Sequence, residues 1–221
     1  MKTSGFIDTL TLRPCKVLED NYNIILEEYN NFTFDINKVD EIKNDENWQL
    51  WKSVHEDSYD MAEKEYGNDE NTTNVSYEPY KEAHSWYGLI VDHKSVWDGV
   101  LLATKSKMNA TPSLDLKPTP ICNKFFNKTL ECIKEFPEVT NVMVARLPAG
   151  ALLPKHRGYR QIRRIHLGLV VPDGDVKFCV SDVEKKWETG KCLAFNDHCE
   201  HTAWNNTNQD RIALLVDVFV R

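Results

Sequence analysis

The stretch "LLPKHRGYRQIRRIHLGLVVP", residues 152–172, decides how this chain is read. Along its second half the apolar residues recur every second position. Ile165, Leu167 and Leu169 fall on one side, and Arg164, His166 and Gly168 on the other. That alternation predicts a β-strand over 164–171 with one apolar face and one face that carries chemistry. The same stretch holds two histidines ten residues apart and five cations between 155 and 164, in a chain whose formal net charge is −7. So much positive charge in so short a run suits a local anion site, whereas an acidic chain lacks the broad basic surface that nucleic acid or an anionic membrane requires.

Further strands are expected on both sides of this one, at 141–147, 175–180, 191–196 and 211–220. The turn-rich segments "PAGALLP", "PDGD", "ETGK" and "NNTNQD" separate them. In "RIALLVDVFV" the residues Ile212, Leu214, Val216, Val218 and Val220 form an aliphatic face. Arg211, Ala213, Leu215, Asp217 and Phe219 lie opposite, so Arg211 opens a strand on the face that is not purely aliphatic. Toward the N-terminus the period changes. Val17, Leu18, Tyr22, Ile25, Leu26 and Tyr29 predict an amphipathic helix over 14–30, and Trp48, Trp51, Val54 and Tyr59 a second over 45–66. "CNKFFNKTLECIKEFPEV" predicts a third, with Phe126, Leu130, Ile133 and Phe136 on one stripe and Pro137 as its stop. The expected organisation is a single domain over 1–221: a mostly helical supporting region at 1–139, and an antiparallel β-sandwich or barrel at 140–221.

A chain of 221 residues with 41% hydrophobic side chains can bury a full core. The six cysteines make no CxxC pair and no zinc-type spacing. They are expected to be reduced thiols in a cytoplasmic protein without a secretory leader. No apolar run approaches the roughly 18 residues of a membrane span. The Asn-x-Ser/Thr triplets at Asn71, Asn127 and Asn205 are read as accidents of an Asn-rich composition.

His156 is expected in the loop between the strands ending near 147 and starting at 164, and His201 at the exit of the strand before "NDHCE". Two imidazoles on two rims of a barrel suit a divalent transition metal, and iron(II) centres commonly add one carboxylate to them. The position two residues after the first histidine, where that acid usually sits, is Gly158. Asp197 is the reserve carboxylate; Glu200 adjoins a ligand and should point away. His198 reads as a surface residue, and His55, His84 and His93 as structural. Lys155, Arg157, Arg160 and Arg163 flank the metal site as a substrate anion site, and Trp204 is a pocket wall or a core residue.

The combination "HRG…RIHLGLVVP…KWETGKCLAFND…EHTAWNN…DRIALLVDVF", over roughly 80–221, resembles the aspartyl/asparaginyl β-hydroxylases, a family of Fe(II)- and 2-oxoglutarate-dependent oxygenases. The resemblance implies a mainly β fold with an α layer, in which a double-stranded β-helix core (jelly-roll, cupin-like) is supported by the N-terminal helices. It makes Gly158 a point of agreement, since the family has glycine where most relatives place the acid. It implies that His156 and His201 are the catalytic metal ligands. Arg211 would pair bidentately with the distal carboxylate of 2-oxoglutarate, and Arg164 and His166 would hold the cosubstrate from the other side. The family's serine upstream of the first ligand is unmatched, since Val144 or Ala145 falls there. The substrate so implied is a peptide or protein, or a small acidic molecule, recognised through Arg157, Arg160, Arg163 and Trp204. Relatives acting on free amino acids or lipid acyl chains, and a non-catalytic cupin-like binding module, are the alternatives.

Overall fold

The alternating stretches around His166 and Arg211 become neighbouring antiparallel strands in a computed structural model, which describes residues 5–32, 75–79, 86–91, 94–105, 116–158 and 162–219. In chain order the strands are β1 (Phe6–Ile7), β2 (Val75–Pro79), β3 (Trp86–Val91), β4 (Lys94–Thr104), β5 (Lys117–Pro118), β6 (Val139–Leu147) and β7 (Leu152–His156). They continue with β8 (Ile162–Val170), β9 (Val176–Val180), β10 (Val183–Lys186), β11 (Cys192–Asn196), β12 (His201–Asn205) and β13 (Arg211–Phe219). The helices are α1 (Arg13–Asp20), α2 (Tyr22–Asn31), α3 (Pro120–Phe125) and α4 (Asn127–Ile133).

From β6 onward the chain winds between two sheets. One carries the order β11-β8-β13-β6 and the other β10-β9-β12-β7, every pair antiparallel. This is the strand order of a double-stranded β-helix, with the smaller sheet facing the larger across a shared interior. The period-two reading of β8 and β13 holds. Ile165, Leu167, Leu169, Ile212, Leu214, Val216 and Val218 lie in the core between the large sheet and the helices. Ala213 and Leu215 turn to the interior of the roll with Met143 and Ala145, while Phe178, Val180, Leu193, Phe195 and Ala203 line the rest of it.

Three expectations about the first 139 residues change. The predicted helix over 14–30 is broken at Asn21, whose side-chain amide donates to the Val17 carbonyl at 2.8 Å and so competes with the helical ladder. The predicted helix ending before Pro137 is likewise split at Phe126, a fully buried side chain whose backbone leaves the helical region. Residues 86–104 are strand, not helix-region filler: β4 pairs with β6 from Asp98 to Thr104, and β3 and β2 follow. An exposed β6 edge would leave a row of unpaired backbone groups, and β4 covers it. The larger sheet therefore crosses the expected division at 139/140. The helix expected over 45–66, together with His55, His84, His93 and Arg160, lies outside the described residues.

The helical layer is pinned by buried polar contacts as well as by Leu18, Ile25 and Phe126. The Glu28 carboxylate on α2 accepts from the backbone amides of Lys128 and Thr129, each at 2.8 Å, and from the Thr129 hydroxyl at 2.7 Å. It thereby satisfies the orphan donors in the first turn of α4, where a negative charge also suits the helix dipole. Glu19 on α1 does similar work on the large sheet, accepting from the Cys192 amide at 2.9 Å. All six cysteines are free thiols. Asn205 is buried and its amide donates to the carbonyls of Leu147, Pro148 and Gln209, which excludes it as a glycan acceptor. Among the described residues no helix is long and apolar enough to cross a membrane.

Glu28→Ala strands three donors in a buried site and should lower the unfolding free energy by about 2–3 kcal/mol in urea titration. An unchanged midpoint would mean that α2 and α4 are held by apolar packing alone.

Candidate active site

The two histidines singled out by the sequence lie on strands that it did not predict. His156 ends β7 and His201 begins β12, and the two residues face each other in register across this antiparallel pair. Directly opposed residues on one sheet face bring their side chains together, and the imidazole centroids are 4.0 Å apart. Both rings are anchored alike. His156 Nδ1 is 2.8 Å from the Pro154 carbonyl, and His201 Nδ1 is 2.8 Å from the Cys199 carbonyl. A carbonyl only accepts, so each Nδ1 carries the proton and the lone pair of each neutral ring sits on Nε2.

The rings are also held neutral. Burial, followed by the neighbouring His201, pushes His156 down to about 3 from its ordinary 6.5. Burial pushes His201 down to about 4, with the Arg164 cation contributing and the Cys199 carbonyl opposing. Two adjacent neutral imidazoles with fixed tautomers make a donor set for a divalent transition metal.

Asp197 stands beside them on the turn after β11. Its Oδ1 is 3.9 Å from His201 Nε2, and the carboxylate is buried. Burial raises its pKa, the Arg164 cation opposes this, and Asp217 adds to it. A Cβ built on Gly158 would run into the Asp197 carboxylate. The space that a side chain at 158 would fill is thus taken by an acid reaching in from the turn after β11, and the Gly158 amide donates to the Asp197 carbonyl at 2.7 Å. Among the described residues no cluster of three potential ligands sits at metal-binding distances. Asp197 thus stands beside the paired imidazoles.

Deeper in the roll lies a second group. Arg211, at the start of β13, is 2% exposed, and its Nε and Nη1 have no hydrogen-bond partner among the described residues. Burial lowers its pKa to about 9, still high enough to leave it cationic at neutral pH. His166 accepts at Nδ1 from the Trp187 indole at 3.2 Å, so its Nε2 carries the proton. That Nε2–H is buried and also without a partner. Burial and then the Arg211 charge hold His166 well below its ordinary pKa. A buried cation and a buried N–H donor, both unsatisfied, are costly unless an acceptor joins them. A carboxylate group fits both.

Other candidates fall elsewhere. Arg164 is held by acids. Its guanidinium forks onto Asp217 at 2.7 and 3.1 Å and contacts Asp197 at 2.8 Å, so two acids already neutralise it. Arg163 alternates with Arg164 and falls on the helix-covered side with Ile165, away from the roll interior. Trp204 alternates with His201 and Ala203 and lies on the outer face of the small sheet, donating to Asp175 at 3.1 Å beneath the Lys177 ammonium. Arg157 and Lys155 stay at the rim, where Glu200 lies 3.8 and 3.5 Å away. Acids from neighbouring elements thus meet most of the basic run. Two participants escaped the sequence reading, Trp187 and the Arg164–Asp217 pair. An aromatic in a polar "EKKWETG" turn was the available signal for the first.

Fold and site together define a jelly-roll protein with two opposed imidazoles and a buried pair of unsatisfied donors from Arg211 and His166. Residues 49–220 match the family model of aspartyl/asparaginyl beta-hydroxylase, and the chain belongs to that family. It is 39% identical over 92 residues to an ornithine lipid ester-linked acyl 2-hydroxylase of Rhizobium tropici, covering 40% of this chain and 33% of that one. It is 34% identical over 98 residues to the aspartyl/asparaginyl beta-hydroxylase of Homo sapiens, covering 42% of this chain and 13% of that one. The match thus spans a third or less of these relatives' length. Among solved structures, a viral collagen prolyl hydroxylase from Paramecium Bursaria Chlorella virus-1, in complex with 2OG, aligns at 15% identity over 45% of this chain and 69% of that one, with a TM-score of 0.33.

Gly158→Ala must displace the Asp197 carboxylate and should cost about 1–3 kcal/mol of stability, read as a lower urea midpoint; wild-type stability would mean that the loop has room to give. Acidification has a defined sign as well. The folded state resists protonating His156, His166 and His201, whereas the unfolded chain takes up protons below about 6.5. Stability of the chelator-treated protein should therefore fall as pH drops from 6.5 toward 4. Replacing both His156 and His201 by Gln should flatten the dependence, and an equally steep profile in that variant would contradict the assignment.

Proposed function

We propose that this chain is an Fe(II)- and 2-oxoglutarate-dependent dioxygenase that hydroxylates a C–H bond of an anionic substrate. The observation that carries this reading is the alignment of two features in one roll: neutral imidazoles opposed on β7 and β12, and the unpartnered donors of Arg211 and His166. His156 and His201 would hold the metal through Nε2. Arg211 and His166 would hold one carboxylate of 2-oxoglutarate, the guanidinium giving a bidentate charge-assisted pair and the imidazole a neutral donor. When bound, the two groups supply the oxidising chemistry, in which dioxygen, 2-oxoglutarate and R–H become R–OH, succinate and carbon dioxide.

The chain's own residues bind, orient and exclude water. The aromatic and aliphatic walls from Phe178, Phe195 and Leu215 keep the interior dry, which strengthens every polar contact made there. The Arg164 bridge between Asp197 and Asp217 fixes the carboxylate beside His201, where it can accept a proton-bearing ligand.

For the substrate we infer an acidic amino acid, peptide or protein residue, met at the rim by Lys155 and Arg157. The contacts of Lys155 with Glu200 and Asp182 and of Arg157 with Glu200 are long and exposed, and such pairs exchange at little cost. Similarity to a lipid acyl hydroxylase supports the second reading, an acyl chain carried on a charged headgroup.

Anaerobic addition of Fe(II) and 2-oxoglutarate should produce a visible metal-to-ligand charge-transfer band, which a barrel that merely binds a metal or a carboxylate would not give. His156→Ala and His201→Ala should each abolish substrate-dependent succinate formation. Arg211→Ala should mainly raise the 2-oxoglutarate requirement, by roughly 10- to 100-fold for a lost charged pair. Full turnover in either histidine variant would defeat the reading. Mass spectrometry of acidic peptides, free amino acids and ornithine lipid for a gain of one oxygen atom separates the substrate classes.

A further inference from the structure

Trp187 follows β10 in the turn leading to β11 and is 3% exposed, although its neighbours in sequence are charged. It reaches the roll interior because of Gly168. That glycine lies two residues after His166 on the same strand face, and a Cβ there would run into the Glu188 carbonyl. The turn is laced onto β8 at that point: the Gly190 amide donates to the Gly168 carbonyl at 2.8 Å, and the Gly168 amide to the Lys191 carbonyl at 3.1 Å. Without a side chain at 168 the turn lies flat on β8 and drops its indole between two of the residues described above. On one side Nε1–H donates to His166 Nδ1 at 3.2 Å, the two ring planes being 14° apart. On the other, the Arg211 guanidinium carbon lies 4.4 Å from the indole centroid, within cation–π range.

We propose that Trp187 is the positioning residue of the carboxylate cradle: its indole N–H fixes His166 in the tautomer that offers Nε2–H to the ligand, and its ring face holds the Arg211 guanidinium toward the same ligand. This deepens the function proposed above and rests on it. A neutral imidazole has one donor and one acceptor nitrogen, and before a ligand arrives the donor at Nδ1 is what places the proton on Nε2. Tryptophan is a donor only, so it cannot support the opposite tautomer. Phenylalanine, or any aliphatic side chain, would remove that donor and leave both tautomers open. Trp187 touches neither metal nor substrate in this account; it acts through His166 and Arg211.

The test combines imidazole 15N NMR with calorimetric titration of 2-oxoglutarate into the protein loaded with Mn(II). In the wild type His166 should be a pure Nε2–H tautomer. Trp187→Phe keeps a ring under Arg211 but removes the donor; the Nδ1–H tautomer should appear and the Kd for 2-oxoglutarate should rise about five- to tenfold, the range of one lost hydrogen bond. Trp187→Leu, which also removes the aromatic face, should weaken binding further. In a His166→Gln background, Trp187→Phe should add little, because the group it positions is gone. An Nδ1–H tautomer in the wild type would overturn the proposal without any variant. So would a Trp187→Phe protein with wild-type tautomer and Kd. Wild-type protein that binds no 2-oxoglutarate would instead sink the underlying functional reading, and this inference with it.

Discussion

The pairing of β7 with β12 is the constraint on which the rest depends. It sets His156 opposite His201, burying the second ring and half-burying the first, and the lowered pKa values keep both neutral at neutral pH. Two adjacent imidazolium ions would repel in a low-dielectric interior, and two mobile neutral rings would bind a metal weakly. The sheet register removes the first problem through burial, and the carbonyls of Pro154 and Cys199 remove the second by fixing each tautomer. β7 is an edge strand holding Pro154, which suits a position where one backbone donor is dispensable.

Charge in the roll is arranged in two compartments. Next to the imidazoles, Arg164 sits between Asp197 and Asp217, so that cation and acids largely cancel. At the start of β13, Arg211 has no acid partner among the described residues and lies against the face of Trp187 near His166. A buried guanidinium without a counter-ion is unfavourable in the unliganded protein. An anion seated there, as proposed for 2-oxoglutarate, would offset that cost, a pattern common to functional sites. Gly158 and Gly168 allow the two compartments to form: one yields its side-chain space to Asp197, the other to the turn that carries Trp187.

Much of this was legible in the sequence. Alternation in "RIHLGLV" and "RIALLVDVFV" assigned faces to Arg164, His166, Arg211 and Asp217 correctly, because one face of each strand packs against helices and admits only aliphatic residues. Strands β7, β10 and β12 were missed, being four or five residues long and rich in Lys, Glu, Pro and Asn. What makes them strands is pairing within the small sheet, a tertiary effect that local propensity does not report. For the same reason His156 and His201 read as loop residues although their roles as neighbours were anticipated. The cations were read as free because their acids, Asp182, Glu200, Asp197 and Asp217, come from other elements. Trp204 was placed in the pocket through its nearness in sequence to His201, where counting the alternation one step further puts it outside. The helices broke at Asn21 and Phe126, since a stripe of apolar residues fixes which face is buried but not whether the backbone stays continuous beneath it.

The most direct test of the account is an anaerobic crystal structure of the protein with Mn(II) and 2-oxoglutarate. The account predicts the metal on Nε2 of His156 and His201, with the far carboxylate of 2-oxoglutarate against Arg211 and the Nε2–H of His166. A metal bound elsewhere, or a carboxylate held by Arg164 while Arg211 stays without a ligand, would contradict it.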